Sequence, residues 1–335
     1  MFRRRTYTPI LFLLFFLILR RLRDRSEKIY PPKPQVNQDS FHSQAKSLPP
    51  AVNTIVFATL LYPKRVCHMS SAEQSPVASD LIILIKTTHN QFRQRQAIRS
   101  TWGNNTIYYN CGLRARILFI LGLLPKSSAT SSRLQDRLFQ EKLVFDDIVQ
   151  FNFTDVYVNN TLKVMASLEY IAHQCPQVRF ISIIDDDFLV HPTNLVKTLL
   201  KVRSDQYYKY IAGEVRPGDT PLRDKASKCY ISYEDYPFKY LPPFIAGGTV
   251  ILSLPVARVL VVGLRYFRHL STDDVLIAII LRKLNVPPIN LPDVYIRRRL
   301  RKTDHKTMIS SHGFRGTRAL LEGWKLISRH VNCVT

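Results

Sequence analysis

Short, uninterrupted apolar runs alternate with helix-like stretches through the middle of this sequence. Apolar residues at consecutive positions are typical of parallel strands that are covered on both faces of a sheet. We predict strands at residues 81–85, 116–121, 147–153 and 179–184, and helices at 91–102, 132–144 and 160–173. The alternation predicts an α/β domain with a mostly parallel central sheet. With 335 residues, of which 46% are hydrophobic, the chain can bury such a core.

Three consecutive aspartates, Asp185, Asp186 and Asp187, follow directly after the last of these runs. Ligand sites of open α/β sheets lie beyond the carboxyl ends of the strands. Three adjacent carboxylates repel one another, so solvent, cationic side chains or a metal ion must offset the repulsion. In an extended turn Asp185 and Asp187 project to the same side, and such oxygens suit Mg²⁺ or Mn²⁺. The alternative is a solvated acidic turn that caps the next helix.

Two further segments have the chemistry of a binding site. Asp273 and Asp274 precede the apolar stretch 275–281, where they could cap a helix or supply a general base near an acceptor hydroxyl. Gly247 and Gly248 lie before a strand-like run, and glycine lets the backbone approach a ligand closely. They could equally serve a tight turn.

The N-terminus carries a short apolar run, residues 10–19, with arginines on both sides. The run is shorter than the roughly 20 residues that span a bilayer, so a short signal-anchor and a cleaved signal peptide are both open. No small-residue cleavage site follows it, which favours the anchor. We expect a cytoplasmic tail and anchor at 1–25, a Pro-punctuated stem at 26–79, and a lumenal domain at 80–335. Within the stem, the more apolar stretch 51–62 could pack on the domain.

Glycosylation signals, together with the apolar N-terminus, favour a lumenal domain. Asn-x-Ser/Thr sequons occur at Asn104, Asn152 and Asn159, and we expect N-glycosylation there. Five cysteines leave at least one unpaired within a monomer, and no clustered Cys/His pattern indicates zinc. The sequence leaves the disulfide pairing open.

The net charge of +23 suggests contact with a polyanion. Nucleic acid, a membrane surface, a glycosaminoglycan or a phosphorylated substrate would each satisfy it, and a solvated basic face is the simpler alternative. The apolar N-terminus, the sequons and the lack of aromatic-interleaved basic motifs argue against nucleic acid as a partner.

Several sequence blocks occur in a recognisable order. They are Arg95-Gln-Ala-Ile-Arg-Ser-Thr-Trp-Gly103, the run 116–122, Asp147-Ile148, Phe153-Thr-Asp-Val-Tyr-Val-Asn-Asn-Thr-Leu-Lys163, Cys175-Pro176, the triple aspartate, Lys228, Pro242-Pro-Phe-Ile-Ala-Gly-Gly248 and Asp273-Asp274-Val275. Their order resembles the β-1,3-galactosyltransferase family, which includes β-1,3-N-acetylglucosaminyltransferases and is related to the fringe glycosyltransferases. The resemblance implies a type II Golgi membrane enzyme with a GT-A fold.

The resemblance also implies roles for individual residues. The reaction would be an inverting, β-1,3-linked transfer of a hexose from a UDP-sugar to an acceptor glycan. Asp185 and Asp187 would be the pair around Mn²⁺, with Asp187 the direct ligand, and Asp274 would be the base. The remaining assignments are Arg95, Arg99, Lys163 and Asp186 to the nucleotide-sugar, and Gly247, Gly248 and Asp273 to the donor and acceptor pocket. Arg99 or Lys163 could instead make structural ion pairs.

Four positions depart from the family pattern. Ile183 stands where the family often has Lys, Asp273 where it has Glu, Ala278 where it has Gly, and Val250 where it often has Tyr. These departures leave the donor open among UDP-galactose, UDP-N-acetylglucosamine and UDP-N-acetylgalactosamine. They also keep open a catalytically weakened, glycan-binding relative.

Overall fold

The computed structural model describes residues 51–67, 79–125, 129–298 and 300–333, which form an α/β fold around an eight-stranded sheet. The strands are β1 (Thr59–Leu61), β2 (Leu81–Lys86), β3 (Ala115–Leu123), β4 (Ile148–Thr154), β5 (Phe180–Asp185), β6 (Phe188–Val190), β7 (Ile211–Arg216), β8 (Phe244–Ser253), β9 (Ile289–Asn290), β10 (Val294–Tyr295) and β11 (Ser310–His312). The helices are α1 (Phe92–Arg99), α2 (Asn105–Asn110), α3 (Ala129–Phe145), α4 (Asn160–Gln174), α5 (Pro192–Leu200), α6 (Ser204–Tyr207), α7 (Leu254–Leu264), α8 (Asp273–Leu284) and α9 (Thr317–Ile327).

The large sheet is mixed rather than mostly parallel. Its order is β1-β4-β3-β2-β5-β8-β7-β9, and the four strands predicted from the sequence, β4-β3-β2-β5, are parallel neighbours. Strand β8 runs antiparallel to both β5 and β7, and β1 runs antiparallel to β4. The segment between β7 and β8 contains no helix, so these two strands pair without the helical crossover that a parallel pair needs. The α/β class is confirmed, and the expectation of a mostly parallel sheet is corrected.

The central strands are apolar at consecutive positions because each face of the sheet is covered. All six residues of β2 are buried. Ile82 and Leu84 face a core that includes residues of α4, α7 and α8, whereas Leu81, Ile83 and Ile85 face a second core that includes residues of α1, α5 and α9. Burying each such side chain contributes about 1.5–3 kcal/mol. The sheet is thus the rigid base from which the strand ends project.

A smaller three-stranded sheet lies beyond the end of β5. Its order is β10-β11-β6, and β11 pairs antiparallel with β6 so that His312 lies opposite Phe188. Residues from the far C-terminal part of the chain are therefore held beside the triple aspartate. No sequence prediction covered this sheet, because its strands are only two or three residues long.

Part of the predicted stem packs on the domain. Strand β1 pairs with β4, and the Asn53 Nδ2 donates to the Leu264 carbonyl at 2.7 Å, which confirms the expectation for residues 51–62. A disulfide joins Cys67 to Cys175, and a second joins Cys111 to Cys333. Cys229 is not in a disulfide. The domain boundary at residue 80 stays a prediction.

No helix within the described ranges has the length and hydropathy needed to cross a bilayer. The anchor predicted at 1–25 lies outside those ranges.

A buried ion network fastens α1 to α3 and to the start of β4. The Arg95 guanidinium donates from Nε to Glu141 Oε1 at 2.8 Å, and Arg99 Nη2 lies 2.7 Å from the same oxygen. Arg99 Nε also donates to Asp147 Oδ2 at 2.7 Å. The Arg95 side chain is 1% exposed and that of Glu141 is fully buried. Because a buried charge without a partner is costly, each member requires the others.

We predict that Glu141→Gln lowers the free energy of unfolding by about 3–5 kcal/mol, because two buried guanidinium groups lose their shared carboxylate. Urea unfolding monitored by circular dichroism measures this. The matched control is Glu322→Gln in the solvent-exposed Arg318–Glu322 pair, which should leave stability unchanged. Equal effects of the two substitutions would refute a stabilising role for the network.

Candidate active site

The candidate site lies where β2 and β5 end, opposite the first turn of α8. Lys86, the last residue of β2, lies in register with Asp185, the last residue of β5. Asp186 and Asp187 form the turn that leads into β6. The acidic turn therefore follows the carboxyl end of a buried parallel strand, where α/β sheets bind ligands.

Each of the three aspartates has a different partner. Asp185 Oδ1 lies 3.0 Å from the Lys86 Nζ. Asp186 Oδ2 accepts a hydrogen bond from the Thr87 hydroxyl at 2.5 Å. Asp187 Oδ2 lies 3.2 Å from the His312 Nε2. Limited access to water, together with the neighbouring Asp187 and Asp185, raises the pKa of Asp186 to about 6. The turn therefore favours a cationic partner.

Asp187 and His312 form a donor set that suits a divalent ion. Their side chains are 25% and 48% exposed, so both reach the solvent side of the turn. A carboxylate oxygen and an imidazole nitrogen are ligands for Mn²⁺ or related ions. Across residues 51–67, 79–125, 129–298 and 300–333, no three His, Cys, Asp or Glu side chains cluster closely enough to hold a metal by themselves. The remaining positions would belong to the ligand and water. The metal pair Asp185 and Asp187 stays a prediction.

His312 was missed by the sequence analysis. It lies 125 residues after Asp187 and reaches it only through the pairing of β11 with β6. Its ring also contacts the Phe188 ring, with centroids 5.2 Å apart. A single histidine between Ser311 and Gly313 carries no spacing signal that would have linked it to the acidic turn.

The second acidic pair begins α8. Asp273 Oδ2 lies 3.3 Å from the Lys86 Nζ, and Asp273 Oδ1 accepts from the Asn160 Nδ2 at 3.2 Å. Asp274 Oδ1 accepts from the Val275 backbone N–H at 2.8 Å. Burial, and then the adjacent Asp273 charge, raise the pKa of Asp274 to about 6. The helix dipole stabilises the negative charge of both aspartates at the N-terminus of α8. The raised pKa of Asp274 is typical of a group that accepts a proton near neutral pH.

The two glycines have different surroundings. A Cβ at Gly247 would lie 3.6 Å from Asp273 Oδ1 and 3.7 Å from Asp274 Oδ2, so this residue borders the acidic pair. A Cβ at Gly248 would come within 2.2 Å of the Phe188 ring, so the absence of a side chain is required for packing. The pocket role predicted for both residues stays a prediction, and Gly248 has in addition a structural reason to be glycine.

The three basic residues assigned to the nucleotide-sugar face carboxylates. Lys163 Nζ lies 2.8 Å from Asp155 Oδ1 and donates to the Thr87 carbonyl at 2.9 Å. Arg95 and Arg99 belong to the buried network with Glu141. These contacts support the structural alternative for Arg99 and Lys163 and give Arg95 the same structural role. Contact with phosphate stays a prediction for all three.

Three of the four departures from the family pattern lie in the core, and the fourth, Asp273, lies in the site. Ile183 and Val250 are buried and pair across β5 and β8. Ala278, on α8, lines a small apolar cavity together with Asp274. A cation nevertheless lies beside the acidic turn, because Lys86 at the end of the neighbouring strand contacts Asp185. Although burial opposes its charge, Asp185 and Asp273 outweigh this effect and raise the pKa of Lys86. The first strand predicted from the sequence, 81–85, ends one residue before Lys86.

Of the sequon asparagines, Asn104 precedes α2, Asn152 lies in β4 and Asn159 precedes α4. Asn104 and Asn152 are exposed, and their side-chain oxygens accept from the backbone N–H groups of Thr106 and Ala58. Asn159 is half-buried and donates from Nδ2 to the Thr154 carbonyl at 2.8 Å. Glycosylation at the three sites stays a prediction.

Comparison with known proteins places this geometry in a family. The sequence model of the galactosyltransferase family matches residues 93–292. Beta-1,3-galactosyltransferase 1 of Mus musculus is 35% identical over 208 residues, which are 62% of this chain and 61% of the mouse protein. Lactosylceramide 1,3-N-acetyl-beta-D-glucosaminyltransferase B of Xenopus laevis is 35% identical over 210 residues, 62% of this chain and 55% of the frog protein. The chain thus spans about three fifths of the length of these curated relatives.

Among solved structures, the WbbM bifunctional glycosyltransferase aligns with a TM-score of 0.39 and 12% identity, covering 79% of this chain and 53% of that one. The family model spans more than half of the sequence and includes the triple aspartate, the paired glycines and the Asp273–Asp274 pair. The chain therefore belongs to the galactosyltransferase family.

Proposed function

We propose that this chain is an inverting glycosyltransferase with a GT-A fold that moves a hexose from a UDP-sugar to a hydroxyl of an acceptor glycan in β-1,3 linkage. The observation that carries the proposal is the contact of Lys86 with both Asp185 and Asp273. Through this one side chain the acidic turn after β5 and the first turn of α8 adjoin each other. The acidic turn, which we propose binds the sugar donor, and Asp274, which we propose is the base, thus belong to one site.

In the proposed reaction Asp274 is the general base. Its carboxylate accepts the proton of the acceptor hydroxyl as the hydroxyl oxygen forms a bond to C1 of the donor sugar. The bond between C1 and the diphosphate oxygen breaks at the same carbon, and UDP leaves with that electron pair. This single displacement inverts the anomeric centre. The raised pKa of Asp274 suits the role, since a base works best when its pKa lies near the working pH.

We infer that Asp187 and His312 hold a Mn²⁺ ion directly, with Asp185 contributing negative charge beside them. When bound, such an ion neutralises the charge that develops on a diphosphate leaving group. The donor set, its exposure and the crowded carboxylates of the turn support this assignment. Asp186 and Gly247 are proposed to contact donor or acceptor.

We place the enzyme in the Golgi lumen as a type II membrane protein, acting on a glycan carried by protein or lipid. Two disulfides support an oxidising compartment. The names of the two relatives include both galactose and N-acetylglucosamine transfer, and lactosylceramide as an acceptor. The donor is therefore proposed only as a UDP-hexose or UDP-N-acetylhexosamine.

We predict that UDP binds with a dissociation constant in the range of about 1 μM to 1 mM when Mn²⁺ is present, and that chelation weakens this binding. Asp187→Asn and His312→Ala should each weaken it by about tenfold or more, because each removes a metal ligand. Calorimetric titration of UDP with and without Mn²⁺ measures the effect, and Asp205→Asn, in an exposed surface pair, is the control.

Binding that is indifferent to chelation and to Asp187→Asn would rule out the metal role. A screen of UDP-hexoses with a panel of acceptor glycans tests turnover directly. Binding of UDP without any transfer or donor hydrolysis would instead support the glycan-binding relative.

We predict that kcat/KM falls as the pH drops through about 6, because protonation of Asp274 removes the base. Asp274→Asn should lower kcat on the order of 10²- to 10⁴-fold and leave the affinity for UDP unchanged. Steady-state transfer assays across the acidic range measure both, with Asp224→Asn on an exposed loop as the control. If kcat/KM does not fall at acidic pH, or if Asp274→Asn retains the wild-type kcat, Asp274 is excluded as the base.

A further inference from the structure

Lys86 is a buried cation whose whole hydrogen-bonding capacity is used within the site. Its side chain is 6% exposed, and Nζ lies 3.0 Å from Asp185 Oδ1 and 3.3 Å from Asp273 Oδ2. The same nitrogen donates to the Gly247 carbonyl at 3.1 Å. An ammonium group has three donors, and here each has an acceptor. This geometry fixes the position of the ammonium and, in return, of its three partners.

The three partners belong to three different parts of the fold. Asp185 ends β5, Gly247 lies in β8, and Asp273 begins α8. Strands β5 and β8 are paired in the sheet, but α8 reaches the site as a separate element that packs against β8. Lys86 is therefore a direct side-chain link between the sheet edge that carries the acidic turn and the helix that carries Asp274.

The positive charge of Lys86 is needed because it separates two negatively charged carboxylates. The Asp273 side chain is 12% exposed and that of Asp185 is 38% exposed, and Lys86 lies between them as a counter-ion. Without the ammonium group the two carboxylates would face each other, and Asp273 would have little water to screen its charge. Repulsion of this kind is relieved by protonation or by separation of the elements that carry the charges. Separation would move the first turn of α8 away from the acidic turn.

We propose that Lys86 is a positioning residue, which holds Asp273 and thereby the adjacent Asp274 at a fixed place relative to the donor-binding turn. The inference rests on the proposed function, because it concerns the alignment of the base with the donor. Lys86 does not touch the reacting atoms in this account. It acts by keeping two acidic segments together that would otherwise repel each other.

A purely structural ion pair would have different consequences. It would affect stability and, through partial unfolding, lower every activity parameter together. A positioning role affects the chemical step while leaving the affinity for the nucleotide intact, since a misplaced reacting group is costly for rate rather than for binding.

The experiment compares Lys86→Met and Lys86→Arg with the wild-type full-length chain. Lys86→Met is expected to lower kcat on the order of 10²-fold, while the affinity for UDP in the presence of Mn²⁺ stays within about threefold of wild type. Lys86→Arg retains the charge and should recover part of the lost kcat. The control is Arg114→Met, which removes the ion pair with Asp80 at the opposite end of the same parallel strands and should leave kcat unchanged.

Undiminished kcat in Lys86→Met, or an equal loss of kcat and UDP affinity, would overturn the proposal. If Lys86→Met does not fold, Lys86→Arg tests the positioning role alone. The guanidinium presents its N–H groups in a different geometry, so this variant should still have a lower kcat without weaker UDP binding. Parallel losses in that variant would contradict the positioning role.

A second measurement does not depend on turnover. Thermal unfolding of Asp273→Asn is measured with Lys86 present and again in the Lys86→Met background. We expect Asp273→Asn to be destabilising in the first case, because Lys86 loses a partner, and stabilising in the second, because repulsion with Asp185 is relieved. Additive effects would refute the link itself. A wild-type chain that transfers no hexose would instead refute the proposed function, while this coupling still decides whether Lys86 holds the two carboxylates together.

Discussion

Pairing of buried carboxylates with buried cations is the interaction on which the arrangement of this fold depends. Glu141 holds two arginines of α1, Asp155 holds Lys163, and Lys86 lies between Asp185 and Asp273. The sets of Glu141 and Lys86 join elements that are distant in sequence, and every member of the three sets except Asp185 has little access to water. Because an unpaired charge is far more costly there than at the surface, these pairs determine which helices and strand ends lie together. The apolar core supplies the bulk of the stability, and the ion pairs select the arrangement.

The site follows from the topology of the central sheet. Parallel strands end at one edge of the sheet, so the pairing of β2 with β5 is sufficient to place Lys86 beside Asp185. Strand β8 returns antiparallel and brings Gly247 to the same edge, beside the first turn of α8. Two acidic segments that would repel each other in isolation are thus held together by the sheet and by one cation. That combination is the basis of our proposal of a metal-assisted transfer with a separate base.

Prediction from the sequence was accurate where periodicity carried the signal. The four apolar runs became β2 to β5, and the stretches between them became helices close to the expected positions. It was wrong about strand direction in the large sheet, because the apolar run that forms β8 does not show that this strand runs antiparallel. The strands of the small sheet are too short to leave a distinctive pattern. The family motifs led to Asp187 and Asp274, whereas His312 and Lys86 were missed. Neither of those two residues belongs to a local motif, and only pairing between strands brings them to the acidic residues.

The sequence by itself determined that acidic residues follow a buried strand and precede an apolar helix, since local hydrophobic patterning governs where strands and helices form. Only the tertiary structure decided which cation meets which carboxylate. Arg95, Arg99 and Lys163, which are predicted to contact phosphate, lie against Glu141, Asp147 and Asp155. The reason is physical: electrostatic partners are chosen by proximity in three dimensions and by burial, and neither quantity can be read from spacing along the chain.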